Sequence, residues 1–276
     1  MTIKSFHPLI EKSLKLFLFT TDLSLAKQAE AAGIDSIIVD WEQKGKNNRQ
    51  TKYATEINGD TPEDVAALAK VLSIPITVRI NALDENSDRE IETAIDNGAK
   101  IIMLPMAEHP REIERFVKLV DARVETIIQI ETQPLVDHCH NLRDIGWNYA
   151  YIGLNDLMIS RHSKWLWEAV ADGTVERIFD ILKDRQVGFG GVTVIGGGKP
   201  IPFVELLSEM ARLGCHLSFL RRSFKREIQG RDINAEIQAV RAVWSAACRR
   251  QPEAILQDRK LFMERIEETR SQIYPS

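Results

Sequence analysis

Apolar runs alternating with amphipathic segments along 276 residues predict an α/β chain closed as a (β/α)8 TIM barrel, followed by extra C-terminal helices. Three observations carry that prediction. Eight apolar runs stand in strict alternation with the amphipathic segments. Their apolar content is continuous, as in parallel strands covered on both faces. The length suits one such barrel, and a chain of this size buries about three quarters of its unfolded surface without a disulfide or metal staple. An open doubly wound sheet is the alternative. Eight units in one chain, with no GxGxxG turn after the first run, argue against it.

In order, the expected strands are LKLFLFT (14–20), SIIVDWE (36–42), ITVRIN (76–81), KIIMLPM (100–106), ETIIQIE (125–131), YAYIGL (149–154), GFGGVTV (188–194) and CHLSFL (215–220). The expected helices between them include SLAKQAEAAG, TPEDVAALAKVL, DREIETAIDNG, PREIERFVKLV, PLVDHCHNLRDI, SKWLWEAVADGTVERIFDIL and IPFVELLSEMARLG. Thr61-Pro62-Glu63-Asp64 supplies a cap, a proline at the first helical position and acids in the first turn. Gly33, Gly98 and Gly214 sit where helices end. Two further helical segments, near 232–249 and 252–273, exceed what a barrel needs and are expected to pack on it or on a neighbouring subunit. Nothing marks a second domain, a linker or a repeat, so residues 1–276 are read as one domain.

The composition, 44% hydrophobic and 28% charged with a net charge of −4, is that of a soluble globular protein and gives no sign of a nucleic-acid binder. No segment approaches the roughly 20 apolar residues of a membrane span. The apolar run Leu14 to Phe19 is short for a signal-peptide core, and Cys139, Cys215 and Cys248 are odd in number and far apart. A reducing, cytoplasmic setting is the expectation.

Barrels of this kind keep their chemistry at the C-terminal ends of the strands. There the sequence places Asp40 and Glu42 after strand 2, Arg79 and Asn81 after strand 3, Glu131 after strand 5, and Asn155 and Asp156 after strand 6. Carboxylates converging with an arginine point to a divalent cation and an anionic substrate. Glu131 and Asp156 suit a hard cation such as Mg²⁺, which often takes only one or two carboxylates and completes its shell with water and substrate. Arg79 suits a substrate carboxylate, which it can grip bidentately. The bland reading is that these charges only pair with one another at the rim.

The ordered set LFLFT, AAGIDSIIVDWE, VRIN, KIIMLPM, IIQIET and IGLNDL, spanning 14 to about 160, resembles the HpcH/HpaI aldolase and citrate lyase β-subunit family. The resemblance implies a metal-dependent carbon–carbon lyase. It places Mg²⁺ or Mn²⁺ on Glu131 and Asp156, and a pyruvate-like oxo acid on Arg79. It implies chemistry through an enolate, with Asp40, Glu42 and Arg79 as the candidate catalytic residues. An aldehyde, phosphorylated or sugar-like among the options, is then the acceptor; an acyl-CoA lyase of the malyl or citramalyl type is the alternative, and a silent acid-binding barrel a third reading. The sequence departs from the pyruvate aldolases at Gln43, where they carry a histidine that shuttles a proton; glutamine cannot titrate. Glu42, a bound water or a residue of a neighbouring subunit is left to serve as base. The resemblance and the extra helices imply a homo-oligomer.

Two further features are weighed by position. Lys44, Lys46, Arg49 and Lys52 crowd the segment 43–58 after strand 2, which reads equally as a solvated loop or as a lid for a polyanion. Gly196-Gly197-Gly198-Lys199 after strand 7 and Arg221-Arg222 after strand 8 mark a corner where barrels often hold phosphate. Gly197, Gly198, Lys199 and Arg221 are therefore candidate substrate-binding residues, against the plainer reading of a tight glycine turn. His138-Cys139-His140 is read as packing, since neighbouring helical positions do not share a face. Trp165 and Trp167 are read as anchors. Arg161 and His162 are close enough in sequence to Asp156 to reach the pocket.

Overall fold

The computed structural model describes residues 13–43 and 59–273. Eight strands, β1 (Lys15–Phe19), β2 (Ser36–Asp40), β3 (Ile76–Arg79), β4 (Ile101–Leu104), β5 (Glu125–Ile130), β6 (Tyr149–Ile152), β7 (Gln186–Phe189) and β8 (Leu217–Phe219), form one sheet. They pair in parallel in the order β7-β6-β5-β4-β3-β2-β1-β8. The ring closes between β7 and β8, where His216 N–H donates to the Val187 carbonyl and Val192 bridges Leu220. This is the expected (β/α)8 barrel.

Around it lie α1 (Leu23–Ala31), α2 (Pro62–Val71), α3 (Ser87–Asp96), α4 (Pro110–Val120), α5 (Gln133–Asp137), α6 (Leu154–Ser160), α7 (Glu168–Ala171), α8 (Thr174–Ile181) and α9 (Phe203–Leu213). After β8 come α10 (Arg222–Glu227), α11 (Ile233–Cys248) and α12 (Pro252–Ile273). The punctuation read from the sequence acts as such. Thr61 and Asp64 exchange side-chain-to-backbone bonds in a capping box, and Gly33, Gly98 and Gly214 all take positive φ.

Two hydrophobic cores follow from the alternation of side chains along each strand. One set faces the helices. The other, including Phe17, Ile38, Met103, Ile127, Tyr149 and Leu217, fills the barrel interior. The seam between β7 and β8 demands a glycine: a Cβ on Gly188 would lie 1.9 Å from the Leu217 carbonyl oxygen.

Among the elements that differ from the sequence reading are the following three. The seventh strand ends at Phe189 instead of running to 194, because Gly190 turns out at φ 88 before Val192 rejoins the sheet. The helix expected over 163–182 is broken into α7 and α8 by Asp172-Gly173, with Gly173 at φ 80. The sixth strand stops at Ile152, and α6 starts directly after Gly153, so Asp156 stands in the first turn of a helix and not on a strand end.

The C-terminal helix α12 packs on its own barrel. Trp165 Nε1–H donates to Thr269 Oγ1, Trp167 meets Phe262 edge to face, and Arg259 pairs with the buried Glu209 of α9. The two tryptophans are anchors, as read. The three cysteines are buried and free. Among the described residues no helix is long and apolar enough to cross a membrane.

Replacing Gly188 with alanine is expected to open the β7–β8 seam and lower stability by at least about 3 kcal/mol. Gly33→Ala, where only the positive φ opposes a side chain, is expected to lose about 1 kcal/mol. Urea denaturation of the two variants measures the difference.

Candidate functional site

The interior positions run on to the last residues of the strands and just beyond them. Two residues after Ile38 comes Asp40; two after Thr77 comes Arg79; Gln129 and Glu131 continue from Ile127; Tyr151 and Gly153 continue from Tyr149; Phe219 and Arg221 continue from Leu217. Members of each set share a face, so these residues rise together from the interior plug into one pocket at the C-terminal mouth. The pocket, about 450 Å³, is lined among others by Asp40, Arg79, Gln129, Glu131, Tyr151, Asp156, Lys199 and Arg221.

Asp40 and Arg79 are cross-strand partners in the β2–β3 register. Arg79 Nε and Nη2 donate to the two oxygens of Asp40 at 2.8 and 2.7 Å. Its Nη1 lies 3.3 Å from Glu42 Oε2, and its guanidinium sits 5.0 Å from the centroid of the Phe19 ring. Burial works against the charge, but Asp40 and Glu42 outweigh it and hold Arg79 above its ordinary pKa. Asp40 is fixed from behind, its N–H donating to the Asp60 carboxylate at 2.9 Å.

Glu131 is 2% exposed. Its Oε1 accepts from Met106 N–H at 2.9 Å and its Oε2 from Gln129 Nε2 at 2.8 Å. Met106 reaches this position with φ at 57, unusual for a residue with a side chain. Gly153, beside Glu131 through the β5–β6 register, leaves the space the carboxylate needs: a Cβ there would lie 2.4 Å from Glu131 Oε2. Burial first, and then the charges of Asp156 and Glu42, push the Glu131 pKa well above the carboxylate range, against the pull of Arg79 and Met106 N–H.

These residues fit a hard divalent cation. Repulsion between Glu131 and Asp156 is what a cation relieves, and each oxygen of Glu131 uses one acceptor direction for its present donor and keeps another. Among the described residues no group of three or more His, Cys, Asp or Glu gathers as a ligand set. A cation on Glu131 and Asp156 would thus draw most of its shell from water and substrate, as Mg²⁺ does and zinc sites do not.

The other sequence candidates fall as follows. Glu42 is buried against Arg79 but stands behind the pocket lining. Gln43 is exposed, with its N–H on Asn81 Oδ1, and the basic segment 44–58 lies outside the described residues. Gly197 and Gly198 stand off the lining and close a turn: a Cβ on Gly198 would meet Phe203 N at 2.5 Å. Lys199, Arg221 and Arg222 do line the pocket. Arg161 turns away, to Gln133, Asp172 and Thr174, and His162 is exposed outside the lining. His138 stacks on His109 on the outside of the barrel. Gln129 and Lys225 were missed. Gln129 was legible as a polar residue at an interior position of an apolar strand; Lys225 became pocket-facing only once α10 started directly after β8.

The profile of the HpcH/HpaI aldolase/citrate lyase family matches residues 13–164, more than half of the chain. No curated protein matches in sequence. Among solved structures, an HpcH/HpaI aldolase/citrate lyase family protein from Burkholderia cenocepacia J2315 superposes with a TM-score of 0.59 at 18% identity, covering 86% of this chain and 94% of that one. The citrate lyase β subunit complexed with oxaloacetate and magnesium from M. tuberculosis gives 0.55 at 18% identity, covering 86% and 99%. The citrate synthase SbnG gives 0.56 at 18%, covering 76% and 85%. Identities this low speak for the shared fold.

Glu131→Gln is expected to stabilise the metal-free protein. The amide keeps the Met106 bond, and Gln129 can reverse its own amide to match, because its Oε1 is buried without a partner. For a carboxyl whose folded pKa is raised, ionisation in the folded state is unfavourable, so stability falls as pH climbs from the ordinary carboxylate range through the raised value. At neutral pH without metal, Tm is expected to rise by roughly 2–4 °C in the variant. Its gain on adding Mg²⁺ or Mn²⁺ is expected to vanish, both read by thermal unfolding.

Proposed function

The chain belongs to the HpcH/HpaI aldolase/citrate lyase family, and from that premise we propose that it is a divalent-metal-dependent carbon–carbon lyase or aldolase acting through the enolate of a short, pyruvate-type oxo acid. The observation that carries the reading is the meeting, in one pocket, of the Glu131 and Asp156 carboxylates with a guanidinium locked by Asp40. Glu131 and Asp156 would hold Mg²⁺ or Mn²⁺, which would supply Lewis-acid stabilisation for the charge of an enolate. The citrate lyase β subunit complexed with oxaloacetate and magnesium supports both the cation and the substrate class.

The residues of this chain then divide the work. Arg79 receives the substrate carboxylate through the N–H groups of Nη1 and Nη2 that Asp40 and Glu42 leave over. Asp40 fixes the plane of that guanidinium and is a positioning residue. Phe19, Tyr151 and Phe219 form an apolar floor that keeps bulk water from the reacting carbon. Glu42, behind the lining, holds Arg79 from its Nη1 side and is a second positioning residue; with Gln43 unable to titrate, the proton passes to a water or to a residue of a neighbouring subunit. An acyl-CoA lyase of the malyl or citramalyl type is the second reading, supported by the cations Lys199, Arg221, Arg222 and Lys225 on the pocket wall.

Proton–deuterium exchange at the methyl group of pyruvate, followed by NMR, tests the reading. Exchange is expected with Mg²⁺ or Mn²⁺ and not without, and a fall of at least about 100-fold is expected in Glu131→Gln. Glu42→Gln is expected to keep the stabilisation by metal while exchange drops by roughly tenfold, through a looser Arg79. Absence of metal-dependent exchange in the wild type would sink the pyruvate-enolate reading.

A further inference from the structure

Four cations share one wall of the pocket: Lys199 after the glycine turn, Arg221 at the end of β8, and Arg222 and Lys225 on α10. None is within ion-pair distance of a carboxylate among the described residues; the nearest acidic influences are Asp60 on Lys225 and Glu227 on Arg221. For the partly buried Arg221 this is unusual among the described arginines. The partly buried Arg161, Arg212, Arg241, Arg250 and Arg259 each pair with a carboxylate. Arg185, which does not, is satisfied by the carbonyls of Arg143, Ile145 and Trp147 and by the Trp147 ring.

Arg221 is also held in place. Its backbone N–H donates to the Val192 carbonyl and its Nε to the Gly191 carbonyl at 2.8 Å. Its stem lies across Gly191, where a Cβ would come within 2.7 Å of Arg221 Cγ. The backbone thus fixes the root of the guanidinium and leaves its outer edge to the pocket. Burial draws its pKa below the ordinary value, so the bare charge is held at a cost that an anion would relieve. Exposed cations alone would read as a solvated face; a seated, half-buried arginine among them does not.

We infer that this wall is the acceptor subsite and that it takes the phosphoryl group of the second substrate. The inference builds on the enolate reading, whose donor acid already has its own guanidinium in Arg79. A phosphoryl group brings up to two negative charges and three acceptor oxygens, which suits several cations better than a lone carboxylate does. The fork of Arg221 matches two of those oxygens. The glycine turn contributes Lys199, not an amide cradle. The phosphoryl group has two sources: a small phosphorylated aldehyde, or the phosphates of an acyl-CoA.

Calorimetric titration of inorganic phosphate, glyceraldehyde 3-phosphate and coenzyme A tests this on the full chain, with Arg221→Lys and the double variant Arg222→Ala/Lys225→Ala. Arg222 is exposed, so the double variant keeps the proposal open to refutation even where Arg221→Lys fails to fold. Inorganic phosphate is expected to bind and to weaken roughly tenfold in each variant. Coenzyme A binding far more tightly than inorganic phosphate, with the same losses, assigns the acyl-CoA source; the phosphomonoester matching or exceeding it assigns the small aldehyde. No binding of any of the three, or affinities unchanged in both variants, overturns the proposal. Titration needs no turnover, so absence of pyruvate exchange with phosphate bound defeats only the enolate reading, and the converse result defeats only this one.

Discussion

Glu131 sits at the end of β5, out of water, with Asp156 and Glu42 as like-charged neighbours. A carboxylate in that position must take up a proton, a cation or a set of donors. The barrel mouth supplies donors from two directions, Met106 N–H on one oxygen and the Gln129 amide on the other. The left-handed turn at Met106 and the bare Gly153 are the local conditions for this arrangement. Arg79 counters the negative charge from across the pocket, and Asp40 keeps it aimed. Remove the desolvated acid and these neighbours lose their shared reason for being there.

The barrel makes this cheap to build. All strands but β4 end with an inward-facing residue already in the mouth, so the chemistry is set by the residue after the last apolar plug. Asp40 and Arg79 meet because β2 and β3 run in register; Glu131 meets Gly153 because β5 and β6 do. The pairing needs no long loop to hold it. Asp40, Glu42, Arg79, Glu131 and Asp156 all fall within the segment 13–164 that the family profile matches. Lys199, Arg221, Arg222 and Lys225 all fall beyond it.

Much of this was legible beforehand. Strands buried on both faces give unbroken apolar runs, so all eight could be located, and their terminal charges mark the mouth. What stayed hidden has identifiable causes. Asp156 was placed at a strand end because nothing in YAYIGLND shows that the backbone coils directly after Gly153. Arg161 was drawn toward the pocket by its nearness to Asp156 in sequence, whereas its partners Asp172 and Thr174 come from the break between α7 and α8. Gly197 and Gly198 were read as substrate-binding residues, because sequence cannot reveal that the Phe203 backbone closes on Gly198. Long-range pairings of polar side chains, unlike apolar periodicity, leave no trace in local order.

The ring of Trp167 has two neighbours of different kinds. One edge lines the pocket; on the other side Phe262 of α12 packs against it. The last helix is therefore a buttress for the wall of the cavity, although it contributes no side chain to the cavity itself. A change that loosens α12 far from the mouth removes the support behind that indole. The periphery of the molecule is thereby coupled mechanically to the shape of the space in which a ligand sits.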